Sequence, residues 1–423
     1  MSEFENEIRK NITKINSEED LDSLIRSIKN TRVVMLGEGS HGTEEYYSLR
    51  RIISQRLIKD HGFSFIAVEG DWPDAYRLNK YILNGEGENA QTILRRNHRW
   101  PTWMWANTEI VKLAEWMKEE GAGFYGLDMY SLFESIDEVL NYLRKNSPEL
   151  VAEFEKRYAC FDTYEQNEIA YARSLVKLPA GCEMEVLKNL QKILEIRLKD
   201  LEKSADDLFN AQQNAQIIAN AETYYRSMFA SNEEGWNLRD GHMMETLDRL
   251  LERAGEGSKA IVWAHNSHIG DYRATDMVES GFINLGGLAR LSYGEENVAL
   301  IGFGSYQGEV LAGRVWDGPE QIMPLPPAKS GSYEYHFHNI AVKEKVNQFY
   351  LILKDQQLVT PRLGHRAVGV VYNPQFESRG NYVPTVLSKR YDAFIFIDQT
   401  HALKSLHSLF VRGEVPDTWP LGF

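Results

Sequence analysis

The stretch Arg32–Glu38 reads RVVMLGE, a short apolar run that closes on a glycine and an acid. The pattern returns as FSFIAVEG at 63–70, GFYGLD at 123–128 and KAIVWAH at 259–265. Each run is continuously apolar rather than alternating, which is how strands read when both faces are covered. Helix-prone stretches, Glu44–His61 and Thr108–Glu120, lie between the early runs. Strand and helix in alternation imply βαβ units, hence an α/β chain with a mostly parallel sheet in a three-layer α/β/α core.

Four later runs continue the strand pattern: VALIGFG (298–304), FYLILK (349–354), HRAVGVVYN (365–373) and YDAFIFID (391–398). Between Leu132 and Ala254 the character changes to charged, helix-prone sequence with long periodic segments such as Glu185–Asp207. This gives a core made of residues 1–131 and 255–423, with residues 132–254 as a helical insertion covering the cleft. Residues 1–30 read as an amphipathic helical lead-in with Leu21, Leu24, Ile25 and Ile28 on one face. The segment Asp317–His338, rich in proline and glycine, reads as a long loop carrying His336 and His338.

Composition removes several classes of function. Apolar residues are 43% and charged residues 26% of the chain, the balance of a globular protein. A formal charge of −14, spread along the chain, argues against nucleic acid or an anionic membrane surface as partner. No run approaches the roughly 20 apolar residues of a membrane-spanning helix, and the first residues carry no apolar signal region. A cytoplasmic protein is the expectation. Cys160 and Cys182 show no metal-ligand spacing, and are read as two buried thiols.

The four apolar runs end on Glu38, Glu69, Asp128 and His265. Ligands of an open parallel sheet bind outside the carboxyl ends of its strands, so these side chains are expected in one cleft. A polar strand end is commonplace taken alone; four that are all acids or histidine carry the argument. Two of them sit in dense motifs. In GEGSHGT (37–43) the glycines allow a tight strand-to-helix turn around His41, and the helix N-terminus favours a neutral imidazole able to accept a proton. Arg50 falls two turns along that helix, and a surface ion pair is its ordinary fate. In AHNSHIGD (264–271) His265 and His268 are three apart and can share a site. Arg239 and Asp240, in NLRDGHM, could reach the cleft from the insertion, although a surface ion pair is their ordinary fate, and HRWPTWMW (98–105) reads as an aromatic core or lid edge, or as the wall of an apolar cavity.

No GxSxG elbow is present, and neither Ser40 nor either cysteine has the setting of a nucleophile. A histidine that activates water is the simpler reading. Glu38 or Glu69 would orient it, and His265 or Arg50 would stabilise the oxyanion.

GEGSHGT after one strand, EGDW after the next and AHNSHIGD after the insertion, together with YDAFIFID, resemble the erythromycin esterase family from about Arg32 to Thr400. The resemblance implies hydrolysis of a carboxylic ester or macrolactone by water activated on His41. Glu38, Glu69 and His265 would complete the catalytic group, and Arg50, His268 and Asp128 would bind substrate. It implies a small-molecule substrate and no cofactor, with antibiotic resistance among the family's roles. The chain departs from the better-known resistance enzymes in Thr43, Glu44 and Glu45 and in the insertion, where substrate pockets vary. Two other readings use the same residues. One is a metal-dependent hydrolase whose divalent ion is held by Glu38, His41, Glu69, His265 and His268; the other is a ligand-binding relative without turnover.

Overall fold

A computed structural model describes residues 3–177, 181–196, 205–228, 232–354, 358 and 360–407. Its strands are β1 (Ile12–Lys14), β2 (Val33–Leu36), β3 (Phe65–Asp71), β4 (Gly123–Asp128), β5 (Ala260–Trp263), β6 (Val298–Gly313), β7 (Glu320–Leu325), β8 (Gln348–Ile352), β9 (Arg362–Arg366), β10 (Tyr382–Val386) and β11 (Ala393–Thr400).

Neighbouring side chains along β2 go to opposite faces. Val33 and Met35 pack into one apolar cluster, Val34 and Leu36 into another, and β5 divides likewise, with Ala260 and Val262 opposite Ile261 and Trp263. That two-sided burial is why the runs show no alternation. The strands assemble in the order β1-β8-β11-β6-β2-β5-β3-β4, with β7 folded back on the second half of β6. From β11 to β4 every pairing is parallel, whereas β1, β8 and β7 join antiparallel. The chain is therefore an α/β protein with a mostly parallel sheet clothed by helices. Helices Glu44–His61 and Thr108–Glu120 fall where the sequence places them.

Between β4 and β5 the described residues are almost wholly helical, including Leu132–Asn146, Ala205–Ser227 and Asn232–Ala254. The helix expected across Glu185–Asp207 is seen as Glu183–Leu194 and from Ala205 onward; residues 197–204 lie outside the described residues.

Four expectations need correction. Cys160 and Cys182 are not two thiols but a disulfide, their Cα atoms 5.8 Å apart. A pairing across 22 residues depends on how the intervening helix folds back, which spacing alone does not reveal. Only His365 and Arg366 of HRAVGVVYN belong to a strand; Val368 instead donates its N–H to Gly39 O, so the run is apolar because it crosses the buried loop after β2. The segment 317–338 is a loop only in part, since it contributes β7 and the start of the helix Tyr333–Glu344, which carries His336 and His338. The N-terminal lead-in is two helices, Glu3–Asn11 and Asp22–Ile28, separated by edge strand β1.

Candidate active site

The carboxyl ends of β2, β3, β4 and β5 lie side by side, so Glu38, Glu69, Asp128 and His265 converge, each 0% exposed. Two glycines let the β2 turn close. A Cβ on Gly37 would collide with Asn266 Oδ1, and one on Gly42 with the Leu311 carbonyl. Gly42 O also accepts the N–H groups of Leu311 and Leu403, each at 2.9 Å, which ties the turn to β6 and to the segment after β11.

Within that turn His41 Nδ1 lies 2.9 Å from Glu38 Oε1, and Arg50 donates to Glu38 Oε2 at 2.7 Å. All three are buried; Arg50 is no surface residue, because its guanidinium lies over the rings of Tyr47 and Trp263 at 4.3 and 4.7 Å. A carboxylate accepts only, so a neutral His41 carries its proton on Nδ1 and leaves a lone pair on Nε2. Among the described residues nothing hydrogen-bonds that Nε2.

The imidazole of His265 stands 4.9 Å from that of His41, centroid to centroid. Burial, then the neighbouring His41, push it well below the usual histidine range, so it is neutral. Its Nδ1 receives the Ser267 N–H at 3.2 Å and lies 2.9 Å from the Ser267 hydroxyl, which puts the proton on Nε2. The backbone N–H of His265 donates to Glu69 Oε2 at 2.8 Å. Asn266 fixes this loop: its N–H donates to Glu38 O, and its amide donates to and accepts from the backbone of Phe303.

Behind the two imidazoles lies a buried ion network. His268 Nδ1 lies 3.0 and 2.9 Å from the two oxygens of Asp240, and Nε2 lies 3.3 Å from Glu69 Oε1. Burial alone would lower its pKa, but the charges of Asp240 and Glu69 outweigh burial and raise it to about 10, so His268 is a cation. It stacks on Trp236 at 4.4 Å. Burial pushes the Asp240 carboxyl up against the pull of His268. We assign the pair as imidazolium and carboxylate, because Asp240 also accepts the Leu285 N–H at 2.8 Å.

Arg239 donates to Asp128 through Nε and Nη2 and to Glu69 Oε1 at 2.8 Å. Burial raises the Glu69 carboxyl, yet His268 and Arg239 hold it well below the usual carboxylate range. Nη1 of Arg239 also comes within 3.1 Å of His268 Nε2. With both groups cationic this is an approach of like charges, held by the Glu69 carboxylate they share.

Arg239 and Asp240, whose ordinary fate is a surface ion pair, are thus buried parts of the site, at 1% and 0% exposure. Asp128, at the end of β4, joins the network as a partner of Arg239. Sequence reasoning missed Ser267 as well, although its place between the two histidines of AHNSHIGD was the available signal. Of the wide aromatic run, Trp105 touches the site by donating to Glu69 O at 2.9 Å. The donors proposed for a metal ion meet as ion pairs instead: Glu38 with Arg50, Glu69 with Arg239 and His268. Among the described residues no three or more His, Cys, Asp or Glu side chains are grouped to hold one.

The fold and site together define an α/β protein with two histidine–carboxylate pairs buried at the carboxyl ends of a parallel sheet. The chain belongs to the erythromycin esterase family, whose model matches residues 58–400. The matched span begins within the helix after His41 and includes Glu69, Asp128, Asp240, His265 and His268. Erythromycin esterase type II of Escherichia coli is 23% identical over 321 residues, 70% of this chain and 74% of that protein. The crystal structure of a succinoglycan biosynthesis protein superposes with a TM-score of 0.76 at 21% identity, covering 95% of this chain and 97% of the other. A mutant of the erythromycin esterase EreC, in its open conformation, gives 0.66 at 16% identity over 92% and 98% of the two chains. At these identities the structural likenesses establish the fold.

Proposed function

We propose that this protein is a hydrolase of carboxylic esters or lactones in which His41 activates the attacking water. The observation that carries the reading is the pair of adjacent buried imidazoles with opposite tautomers: a free lone pair on His41 Nε2 and an N–H on His265 Nε2. One accepts a proton and the other donates a hydrogen bond, as attack of water on a carbonyl requires. His41 takes the water proton as hydroxide adds to the carbonyl carbon. The resulting oxyanion receives the His265 N–H, in the field of the His268 and Arg239 cations. As the tetrahedral species collapses, the C–O bond to the leaving group breaks and His41 returns the proton to the alkoxide, releasing acid and alcohol. Glu38 holds His41 in its tautomer and stabilises the imidazolium, and Arg50 keeps Glu38 in place.

Membership of the erythromycin esterase family and the likeness to the type II esterase support the reaction class. Macrolactones are candidate substrates on the same ground, and residues 132–254 are proposed as the unit covering the substrate, since they supply Arg239 and Asp240. The test is a hydrolysis screen of the purified protein over simple alkyl and aryl esters, small lactones and macrolactones, with and without chelator. Turnover of at least one class, unchanged by chelator, is expected. Folded protein that turns over none of them would overturn the proposal, and loss of turnover on chelation would overturn the role given to His41 alone.

A further inference from the structure

The apolar run 365–373 touches both histidine motifs, and no step above uses it. Val368 donates its N–H to Gly39 O at 2.9 Å, inside the turn that carries His41. Three residues earlier, at the end of β9, His365 reaches the other motif: its Nε2 lies 3.3 Å from Asn266 Nδ2. Its Nδ1 lies 2.5 Å from Oε1 of Glu334, in the helix Tyr333–Glu344. The two side chains are 1% and 0% exposed, a further buried histidine–carboxylate pair beside Glu38–His41 and Asp240–His268.

The Asn266 amide sets the tautomer of His365. Its Oδ1 accepts the Phe303 N–H at 3.2 Å and its Nδ2 donates to Phe303 O at 2.6 Å, which decides which amide atom is the nitrogen. The second hydrogen of Nδ2 is left to face His365. His365 Nε2 is therefore an acceptor, and the ring proton sits on Nδ1 against the Glu334 carboxylate. Burial pushes His365 below the usual histidine range against the pull of Glu334, so the ring is neutral and keeps its lone pair for Asn266.

Asn266 is a junction. Its N–H donates to Glu38 O at 2.9 Å, and its carbonyl accepts from Arg390 at 3.0 Å. It stands between His265 and Ser267, whose N–H sets the His265 tautomer. A displaced Asn266 therefore disturbs the His265 ring and Glu38 together. The pair that holds it has a fixed base. Arg366 donates its N–H to Glu334 Oε1 at 2.9 Å, and its guanidinium to the carbonyls of Ser305, Tyr306 and Pro326.

We propose that Glu334 and His365 are positioning residues for the hydrolytic site. Glu334 fixes the His365 tautomer, His365 fixes Asn266, and Asn266 keeps the His265 Nε2–H aimed where the oxyanion forms. This rests on the reading of His265 as the oxyanion's donor, yet the orientation it assigns is measurable without turnover.

The experiment compares His365→Gln, whose amide oxygen can take the place of Nε2, with His365→Leu, which offers Asn266 no acceptor. Nitrogen-15 spectra of the histidine rings at pH 7 should show, in the parent, His365 protonated on Nδ1 and His265 on Nε2. His365→Leu should lose the single His265 tautomer, and His365→Gln should keep it. On the best ester found for the parent, kcat should fall about 10²-fold in His365→Leu, the cost of a misplacement of about 1 Å, with KM little changed. His365→Gln should recover most of that loss. A parent His365 protonated on Nε2 would overturn the proposal without any variant. So would a His365→Leu protein that keeps the His265 tautomer and a kcat within about tenfold of the parent's, too small a loss for a misplaced donor. Equal losses of kcat and Tm in the two variants would also overturn it, since they mark a merely structural role. A parent that hydrolyses no ester would overturn the reading of the site instead, and the spectra would still decide the positioning.

Discussion

Replacing Asp240 with asparagine should change how stability depends on pH, because Asp240 is one of two carboxylates that hold His268 as a cation. The substitution keeps the shape and the acceptor for the Leu285 N–H, but puts an amide N–H opposite His268 Nδ1. That nitrogen must then give up its proton to accept. In the parent protein the imidazole pKa rises from 6.5 to about 10, equivalent to about 5 kcal/mol of stabilisation. A histidine whose folded pKa lies above its unfolded value contributes fully below the unfolded value and loses the contribution as pH rises through the folded one. The gain is therefore complete below pH 6.5, about 3 kcal/mol at pH 8 and gone above pH 10. Breaking a buried ion pair typically costs 3–5 kcal/mol, the same size. Urea unfolding followed by tryptophan fluorescence, at pH 6 and pH 8, measures the difference. Asp240→Asn should be several kcal/mol less stable at pH 6, with the gap narrowing by about 2 kcal/mol at pH 8. Parallel curves for the two proteins, or nitrogen-15 histidine spectra showing His268 neutral at pH 7 in the parent, would refute the reasoning.

Glu38→Gln should lower hydrolysis by about 10³-fold or more, as removal of a carboxylate that fixes a base's tautomer does elsewhere; it should also lower Tm, since Arg50 is left buried without its counter-charge. On the acid side, burial drives His242 down to about 3. Its unfolded form binds a proton below pH 6.5 while its folded form does not, so stability falls from there down to about pH 3. A His242→Gln variant followed by thermal melts between pH 7 and pH 4 should show a shallower decline than the parent. Thiol titration of the unfolded, unreduced protein should find no free thiol at Cys160 or Cys182. Replacing both with serine should lower stability by about 3 kcal/mol, the value for closing a loop of this length.

Much of the core was legible in the sequence because the burial that makes a parallel strand also makes its signature. The runs at 32–38, 63–70, 123–128 and 259–265 all hold strands of the central sheet, and each ends on a polar group of the site. The run at 365–373 misled for the same reason: burial beneath a loop reads like burial in a sheet. His41 and His265 were visible because their motifs combine glycines with histidine at a strand end. Arg239 and Asp240 were legible only as the less favoured alternative, since a charged pair on a helix reads as solvated until the fold shows which face it turns inward. Their partners, Asp128, Glu69 and His268, are 111, 170 and 28 residues away in the chain. No local spacing encodes such a meeting. The opposite tautomers of His41 and His265 were likewise out of reach, because they depend on Ser267 and Glu38 approaching the correct ring nitrogen.

The claim that His41 is the base is tested most directly by His41→Asn. Its rate should be measured on the best ester found for the parent, beside a thermal melt and a far-ultraviolet circular dichroism spectrum. The account predicts a native spectrum, a Tm close to the parent's and a fall in kcat of about 10³-fold or more. A folded variant that keeps kcat within about tenfold of the parent, a smaller loss than removal of a general base produces, would contradict it.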